Sequence, residues 1–506
     1  MVATSHPLAA RAGTRALEAG GTAADAAVAA AAVLCVVDPR STGIGGDAFA
    51  LHWPPGASAP EALAAAGPSA AGLTPGALAA AGHAGAMPDT GPWTVTVPGA
   101  VSAWQTLLDR YGRLGLDRAL APAIDLAERG FAVTPVVARE WRVAAPRLAA
   151  DEVARTLLLP GGRPPGAGER WANPELAGVL REIAAGGAAA FYHGRAGAAI
   201  GAAVDRAGGP LRAADLAGWS GADWVAPLRG RFRDVDVFQL PPPGQGIVVL
   251  EALGIFGALD CPAPADAEHA AIEALKLAFA DAGRHLADPD HASVPVDRLL
   301  GEAHLAERRA AIDMASAGAA AAGTASDTVY VAAADGDGGA CSFIQSLYEG
   351  FGSGIAVPGT GIVLHNRGAG FVLEDGHPNR AAPGKRPYHT IIPAMLARGD
   401  EFFGCLGVVG GSMQPQGQMQ VLRHLLDDGM EPQAALDAPR VRVLGGHRVG
   451  IERDYDRGLA DALADRGHEV SLLPGSLAGG AQLILRDSDG LRGASDPRKD
   501  GCALRA

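Results

Sequence analysis

Two hydroxyl residues, Thr328 and Ser346, are the first candidates for chemistry in this 506-residue chain. Apolar runs at 328–334 and 340–347 flank a glycine-rich turn, and this pattern predicts a β-hairpin. A turn centred on Asp337 sets a register in which Thr328 faces Ser346 across the two strands. Side chains paired in this way have Cβ atoms about 4.5–5.5 Å apart. The sequence therefore predicts that the two hydroxyls are neighbours.

A threonine hydroxyl becomes an effective nucleophile only beside a base. Cleavage between Asp327 and Thr328 would create an α-amine, with a reference pKa of about 7.7–8.0, on the same residue as that hydroxyl. Segment 314–326 precedes this bond, and its small residues are typical of a flexible surface segment. Two interpretations stay open at this point: an N-terminal nucleophile that Ser346 orients, or a simple surface pair of hydroxyls.

A glycine pair, Gly410-Gly411, is the second candidate, and it follows the strand-like run 402–405. Adjacent glycines can direct two backbone N–H groups at one point, as an oxyanion hole requires. On these residues alone, a tight turn is the alternative interpretation. A further glycine turn at 43–46 does not match the G-x-G-x-x-G dinucleotide pattern, so a cofactor-binding oxidoreductase is the weaker hypothesis.

Composition and charge exclude several classes of protein. Hydrophobic residues make up 48% and charged residues 19% of the chain, which excludes wholesale disorder. The net charge of −13 argues against nucleic acid as the main partner, because phosphate binding needs a basic face. The longest apolar run, 26–37, is too short to span a bilayer, and the N-terminal residues show no signal-peptide pattern. We therefore expect a cytoplasmic protein with no nucleic-acid and no membrane partner.

The cysteines and histidines do not predict a metal site. The five cysteines are odd in number and widely spaced, so we expect neither disulfides nor zinc but buried free thiols. The histidines lack the spacing of metal ligands. We therefore expect no metal and no cofactor.

Helices and strands alternate in the first part of the chain, and strands dominate after residue 328. Thr22 and Asp25 are placed to cap the second helix, and Asp266 is placed to cap a long one. Residues 54–92 are rich in Ala, Gly and Pro and predict irregular structure. The predicted helices are 8–19, 23–37, 100–111, 117–129, 247–259, 267–286, 419–426 and 459–466, and a strand is predicted at 48–53.

The chain resembles the γ-glutamyltransferases, which belong to the N-terminal nucleophile hydrolases, over nearly its whole length. The matching stretches occur in the family's order and include ALEAGGTAADAAVAAAAVLCVVDPRSTGIGGDAF, PGAVSAWQTLLDRYG, PPPGQGIVVLEALGIF, ALKLAFADAGRHLADPD, DTVYVAAADGDGGACSFIQSLYEGFGSGI, PGTGIVLHNRGAGF, PGKRPYHTIIPAM, VVGGSMQPQG, LDAPR and GASDPRKDG. The resemblance implies an α+β fold, a four-layer αββα sandwich that is made as a proenzyme. It also implies a small-molecule amide substrate.

The resemblance further implies self-cleavage between Asp327 and Thr328. The products are a large (alpha) subunit, 1–327, and a small (beta) subunit, 328–506, which starts at the nucleophile. These subunits are each other's partners, and the resemblance leaves room for a dimer of such αβ units. By the same match, Ser346 is the hydroxyl partner of the nucleophile. The pair Gly410 and Gly411 forms the oxyanion hole.

The substrate pocket departs from the usual family pattern. Gly370 stands where the family has the acid that holds a substrate α-amine, and Arg367 stands where it has a glutamine. His389-Thr390 replaces a Ser-Ser pair. This pattern is more similar to the branch with oxamate amidohydrolase and cephalosporin-acylase-like members. We expect Arg367, His389, Thr390 and Tyr348 to bind the substrate, with Arg367 on a carboxylate.

Other interpretations remain for the pocket and for the whole protein. Arg367 could equally serve as a structural ion-pair partner. The alternative activity is that of a typical γ-glutamyltransferase or glutathione hydrolase. The alternative from another class is an unprocessed, non-catalytic binding protein.

Overall fold

The computed structural model describes residues 1–320 and 327–506. Strands in these ranges are β1 (Val2–Thr4), β2 (Asp47–Trp53), β3 (Glu61–Ala65), β4 (Phe131–Ala132), β5 (Arg170–Trp171), β6 (Asp223–Val225), β7 (Leu228–Phe232), β8 (Val235–Gln239), β9 (Asp327–Ala334), β10 (Ala340–Tyr348), β11 (Ala356–Val357), β12 (Ile362–Val363), β13 (Ala394–Arg398), β14 (Glu401–Val409), β15 (Val441–Gly445), β16 (Arg448–Ile451), β17 (Glu469–Leu472), β18 (Gly480–Asp487), β19 (Gly490–Ser495) and β20 (Cys502–Leu504).

The α-helices are α1 (Pro7–Glu18), α2 (Ala23–Val37), α3 (Pro75–Ala80), α4 (Ala100–Tyr111), α5 (Gly115–Arg129), α6 (Pro135–Leu148), α7 (Glu152–Leu158), α8 (Pro174–Tyr192), α9 (Arg195–Arg206), α10 (Ala213–Ala217), α11 (Gly246–Phe256), α12 (Pro264–His285), α13 (Val296–Leu299), α14 (Glu302–Ala310), α15 (Met413–Leu426), α16 (Pro432–Asp437) and α17 (Arg457–Asp465). Short 3₁₀ turns occur at Pro92–Thr94, Pro160–Gly162, Arg367–Gly370 and Gly475–Leu477.

Two sheets form the centre of the molecule. One has seven strands in the order β20-β1-β9-β10-β2-β3-β6, and the other has six in the order β19-β18-β14-β13-β8-β7. Buried side chains such as Phe49, Tyr330, Met395 and Ile484 fill the space between them. Since a sheet with two apolar faces must be covered on both, helices are needed outside each sheet.

Helices cover the outer faces. The outer core of the seven-stranded sheet contains α1, α2, α4, α5 and α8, and that of the six-stranded sheet contains α11, α12 and α15. The order of layers is therefore helix, sheet, sheet, helix, and the predicted αββα sandwich is confirmed. In the described part of the chain, no helix has the length and apolar character needed to cross a membrane.

Helix α2 supports the strands that carry the two hydroxyls. All its residues are buried, and it packs against both β9 and β10. Its alanines have short side chains that let the helix lie close to the sheet. As predicted, Thr22 and Asp25 form a capping box at its start. Such a cap stabilises a helix by about 1 kcal/mol.

Two sequence predictions about secondary structure are wrong, one for segment 54–92 and one for the start of helix α12. Segment 54–92 is not wholly irregular, because it contains β3 and α3. Strand β3 forms by pairing with β2, in which Ala48 faces Ala65, and this long-range pairing leaves no alternating pattern in an alanine-rich sequence. Helix α12 begins at Pro264, so Asp266 lies inside its first turn and does not cap it. Proline is favoured there because it lacks an N–H that would go unbonded.

Two further expectations need correction. Cys35, Cys341 and Cys405 are buried free thiols as expected, but Cys261 and Cys502 are partly exposed. The expected flexible segment falls partly outside the described residues, at 321–326. Its described part is attached to the body of the protein, because Ala320 and Gly446 exchange backbone hydrogen bonds.

Candidate active site

Thr328 and Ser346 meet at the scissile position that the sequence predicts. Thr328 is buried in β9, and its Oγ1 lies 3.2 Å from Ser346 Oγ. Ser346 Oγ lies 2.6 Å from the carbonyl oxygen of Asp327 and accepts a hydrogen bond from the Tyr348 N–H at 2.8 Å. A carbonyl oxygen can only accept, so the Ser346 hydroxyl donates to Asp327 and Thr328 donates to Ser346. The Thr328 hydroxyl is therefore the first donor in a chain of two hydrogen bonds that ends at the Asp327 carbonyl.

The hairpin has the predicted register. Pairs run regularly from Ala334–Ala340 to Val329–Gln345, and the pairing shifts directly beyond them. Tyr348 then faces Asp327 and has a φ of +77°, which is unusual for a residue with a side chain. Strained residues of this kind cluster at functional sites. The irregularity lies where β10 passes Thr328, so regular pairing ends at the candidate nucleophile.

Gln414 is a third side chain on Thr328, and the sequence analysis missed it. Its Nε2 lies 3.4 Å from Thr328 Oγ1, and its Oε1 accepts a hydrogen bond from the Ile392 N–H at 3.0 Å. Because a backbone N–H needs an acceptor, the Ile392 contact fixes which end of the amide faces Thr328. Gln414 therefore presents a donor to the threonine hydroxyl. Its place in the first turn of α15, directly after the glycine pair, was the available signal.

The glycine pair joins β14 to α15 beside this group. Gly410 has a φ of +119° and Gly411 a φ of +65°, both in the region that favours glycine. Gly410 lines the same cleft as Asp327. Gln245 holds the turn, because its Nε2 donates to the carbonyls of Gly411 at 2.9 Å and Thr390 at 2.6 Å. The pair also lies at the N-terminus of α15, where the helix dipole favours negative charge.

Arg367 is fully buried next to two of the predicted substrate-binding residues. Its Nη1 donates to Thr390 Oγ1 at 3.0 Å, and its guanidinium lies 4.1 Å above the ring of Tyr348. Its Nε is 3.9 Å from Asp47 Oδ2, too far for a hydrogen bond. Nε and Nη2 have no hydrogen-bond partner among the described residues. Burial lowers the pKa of Arg367 to about 10, so the group is charged at neutral pH.

His389 belongs to a network around Asp47 and does not hydrogen-bond Arg367. Burial lowers the pKa of His389 to about 3, so the ring is neutral and its Nε2 donates to Asp47 Oδ2 at 3.1 Å. Burial opposes ionisation of Asp47, but contacts with His365 and His389 hold its pKa below the usual range. Asp47 also accepts a hydrogen bond from the Gly99 N–H at 3.0 Å. The Asp47 carboxylate, at the start of β2, therefore links the backbone just before α4 to His389.

A cleft of about 430 Å³ opens beside the Asp327–Thr328 bond. Asp327 lies in it, and its Oδ1 is 2.6 Å from Nη1 of Arg40. The same Arg40 nitrogen is 3.1 Å from Glu140 Oε2. Arg40 was not predicted as a site residue, because 287 positions separate it from Asp327 and only folding brings them together.

Two groups of buried ligand-type side chains lie away from these residues. They are His269, Glu273 and His468, and Glu251, Asp281 and His304. In the first group, Lys276 Nζ lies 2.7 Å from Glu273 Oε1. In the second, two nitrogens of Arg308 donate to Asp281 at 2.6 Å. A protein cation therefore lies against one carboxylate of each group.

Comparisons with known proteins agree with this architecture. The γ-glutamyltranspeptidase family matches residues 9–506. The glutathione hydrolase-like YwrD proenzyme of Bacillus subtilis is 36% identical, over 100% of this chain and 98% of its own. The oxamate amidohydrolase proenzyme of Klebsiella pneumoniae is also 36% identical, over 99% of this chain and 98% of its own.

A solved structure resembles the whole molecule. The cephalosporin acylase of Bacillus halodurans superimposes with a TM-score of 0.95 at 44% identity, covering 100% of this chain and 95% of its own. The fold, the order of the matching stretches and these relatives lead to one conclusion. The chain belongs to the γ-glutamyltranspeptidase family.

Proposed function

We propose that this amide hydrolase of the γ-glutamyltranspeptidase family works through Thr328, after cleaving its own chain between Asp327 and Thr328. The observation that carries the proposal is the hydroxyl chain from Thr328 through Ser346 to the Asp327 carbonyl, with oxygen–oxygen distances of 3.2 and 2.6 Å. The proenzyme relatives support it, since their names describe precursors. The products are a large subunit, 1–327, and a small subunit, 328–506, which remain partners.

Maturation begins when Thr328 Oγ1 attacks the carbonyl carbon of Asp327. Ser346 passes a proton towards the carbonyl oxygen as the hydroxyl of Thr328 gives up its own. Collapse of the tetrahedral adduct breaks the C–N bond, and the nitrogen takes a proton and becomes the amine of Thr328. Water then opens the resulting ester, which leaves a carboxylate on Asp327 and the free hydroxyl on Thr328. Folding must come first, because the attack requires fixed geometry.

In turnover, the new α-amine accepts the proton of the Thr328 hydroxyl as that oxygen attacks a substrate amide. The N–H groups of Gly410 and Gly411 stabilise the oxyanion, with the helix dipole of α15 behind them. The amine of the substrate leaves with a proton and an acyl-enzyme remains. Water, or an acceptor amine, then releases the acyl group and restores Thr328. Gln414 holds the hydroxyl in place through its donor.

The substrate is a small amide that carries a carboxylate, and Arg367 reads that carboxylate. Two nitrogens of this buried guanidinium have no hydrogen bond, and Asp47 lies at ion-pair distance only, so a substrate carboxylate can supply two parallel hydrogen bonds. Tyr348 and Thr390 hold Arg367 in place, and His389 sets the position of Asp47 behind it. Gly370 has no side chain that could bind the α-ammonium group of a γ-glutamyl substrate. Oxamate, the substrate named for one relative, has this chemistry.

Cleavage is tested on a denaturing gel. Wild type should give two bands, and Thr328→Ala should give one full-length band. Thr328→Ser keeps a hydroxyl and should still be cleaved, which controls for damage to the fold. A single active wild-type band would contradict the nucleophile assignment. A single inactive band is what an unprocessed, non-catalytic binding protein predicts.

Substrate class is tested with a panel on the mature enzyme: oxamate, glutaryl amides, a γ-glutamyl anilide and glutathione. We expect the acidic amides without an α-amine to be the better substrates. A strong preference for γ-glutamyl donors over their des-amino analogues would favour the alternative, a typical glutathione hydrolase.

A further inference from the structure

Arg40 has hydrogen-bond donor capacity that the uncleaved protein does not use. Its side chain is only 13% exposed, and a single nitrogen, Nη1, contacts both Asp327 and Glu140. Its Nε is buried and has no partner among the described residues. A guanidinium binds carboxylate best through two parallel hydrogen bonds. The contact with Asp327 therefore uses only part of the fork.

The surroundings of Arg40 leave room for a carboxylate. Gly350 lies next to the ion pair, and a Cβ there would be 2.9 Å from Arg40 Nε and 3.1 Å from Asp327 Oδ2. Any side chain would crowd both groups. Glu140 is not a dedicated partner, because its other oxygen accepts from Lys499 at 2.7 Å. Without Asp327, the only carboxylate directly on Arg40 among the described residues is this shared one.

Asp327 is the acyl residue of the cleavage step. Its carbonyl carbon is the atom that Thr328 Oγ1 attacks, and two carbon atoms separate that carbonyl from the carboxylate on Arg40. The carbonyl of a substrate must also approach Thr328 Oγ1 to about 3–3.5 Å before attack. A carboxylate at the same spacing on a substrate therefore lies within reach of Arg40.

We propose that Arg40 is a carboxylate receptor that Asp327 fills before cleavage and that the acyl group of a substrate fills afterwards. This inference rests on the proposed function and deepens it. The ligand is an amide of a four-carbon dicarboxylic acid, with two carbons between carbonyl and carboxylate. Oxamate, whose two carbonyl carbons are adjacent, is too short to span this distance. Arg367 and Arg40 thus read carboxylates at different spacings from the reacting carbon.

Binding is measured by calorimetry with succinamate on proteins that cannot be cleaved. Thr328→Ala alone keeps Asp327 on Arg40, whereas Thr328→Ala/Asp327→Ala leaves the receptor open. The double variant should bind succinamate at least about tenfold more tightly than the single variant. Adding Arg40→Gln should abolish this gain, since it removes the fork. Neutral butyramide should show no gain. Spacing is tested on the cleaved enzyme, where Arg40→Gln should raise KM for succinamate but not for oxamate.

Arg139 provides the matched control, because it lines the same cleft and carries the same charge. Arg139→Gln in the open background should leave succinamate binding within about twofold. Arg40→Lys keeps the charge without the fork, so it should lose part of the gain, and it replaces Arg40→Gln if that variant melts early.

Three results would overturn the receptor: no gain on opening the site, a gain that survives loss of Arg40, or an equal loss with Arg139→Gln. An equal rise in KM for oxamate in cleaved Arg40→Gln would overturn the spacing. The binding results are separate from failure of the proposed function, because binding needs no turnover. If Thr328 were not the nucleophile, wild type and the Thr328→Ala protein would give the same bands on a gel.

Discussion

At the scale of single residues, Ser346 connects Thr328, the proposed nucleophile, to the Asp327 carbonyl, which the proposed cleavage attacks. Ser346→Ala removes both hydrogen bonds of the chain but keeps the strand, so we expect cleavage and turnover to slow by about tenfold or more. Rates are followed by band intensity and by amide hydrolysis. Ser346→Thr retains the hydroxyl and should restore much of the rate.

Ser342 supplies the matched control for that experiment. It is a buried serine on the same strand, and its hydroxyl contacts Tyr330 and the Ala394 carbonyl instead of Thr328. Ser342→Ala should therefore be cleaved at close to the wild-type rate. Equal slowing by the two alanine variants would mean that loss of any buried hydroxyl in β10 is harmful, and the specific role of Ser346 would be wrong.

Arg367 is the residue on which we expect substrate class to depend. Arg367→Gln should raise KM sharply for oxamate, because losing one partner of a buried charged contact costs about 2–5 kcal/mol of binding. A neutral amide of similar size is the control substrate and should be affected far less. If KM rises equally for both, Arg367 acts through the packing of Tyr348 and Thr390, which is the structural interpretation.

At the scale of elements, the proposed mechanism requires the turn between β14 and α15 to present two N–H groups at once. Gly411→Ala puts a Cβ on a residue with a φ of +65°, which should rotate the peptide planes away from the oxyanion. Loss of one such donor typically lowers turnover about 10²–10³-fold. Steady-state kinetics on the mature protein measure this effect.

Gly429 is the control for backbone strain. Its φ of +64° nearly equals that of Gly411, and an added Cβ there would meet nothing within 4 Å. Gly429→Ala should carry the same local strain without a loss of turnover. Near-normal turnover of a folded, cleaved Gly411→Ala protein would show that the glycine pair does not form the oxyanion hole.

Elements that follow local rules could be predicted from sequence, and the site residues that depend on tertiary contacts could not. The hairpin register followed from its turn, and the cap of α2 followed from Thr22 and Asp25. By contrast, Arg40 reaches Asp327, and Gln414 reaches Thr328, only through the packing of distant segments. A spacing rule contains no information about the Arg40 contact, and the sequence signal for Gln414 is only its place just after the glycine pair.

At the scale of the whole molecule, the order of matching stretches was enough to predict the sandwich. What it could not predict was how charges are buried once the layers pack. Burial lowers the pKa of His6 to about 4, and of His52, His389 and His468 to about 3. These groups are neutral in the folded protein at pH values where the unfolded chain takes up protons.

Stability should therefore fall as pH drops below about 6.5. Between pH 6.5 and 4.5 the unfolded chain binds protons on these four histidines, so its free energy falls relative to the folded state. Two buried carboxyls oppose this: burial raises the pKa of Glu251 to about 9 and of Asp38 to about 6, and both bind protons when folded. The four histidines outnumber the two carboxyls, so the unfolded chain takes up more protons than the folded protein. Each extra proton lowers the free energy of unfolding by about 1.4 kcal/mol per pH unit.

Melting temperatures of the uncleaved Thr328→Ala protein between pH 6.5 and 5 measure this effect on one intact chain. Glu251→Gln removes an opposing group, so the melting temperature of that variant should fall more steeply with acidification. His52→Phe removes a contributing group while keeping a ring against Tyr111, so its slope should be shallower. His193 is exposed, and His193→Gln should leave the slope unchanged. A melting temperature that is flat or rises on acidification would mean that the carboxyls outweigh the histidines, and that the buried rings take up protons in the folded state.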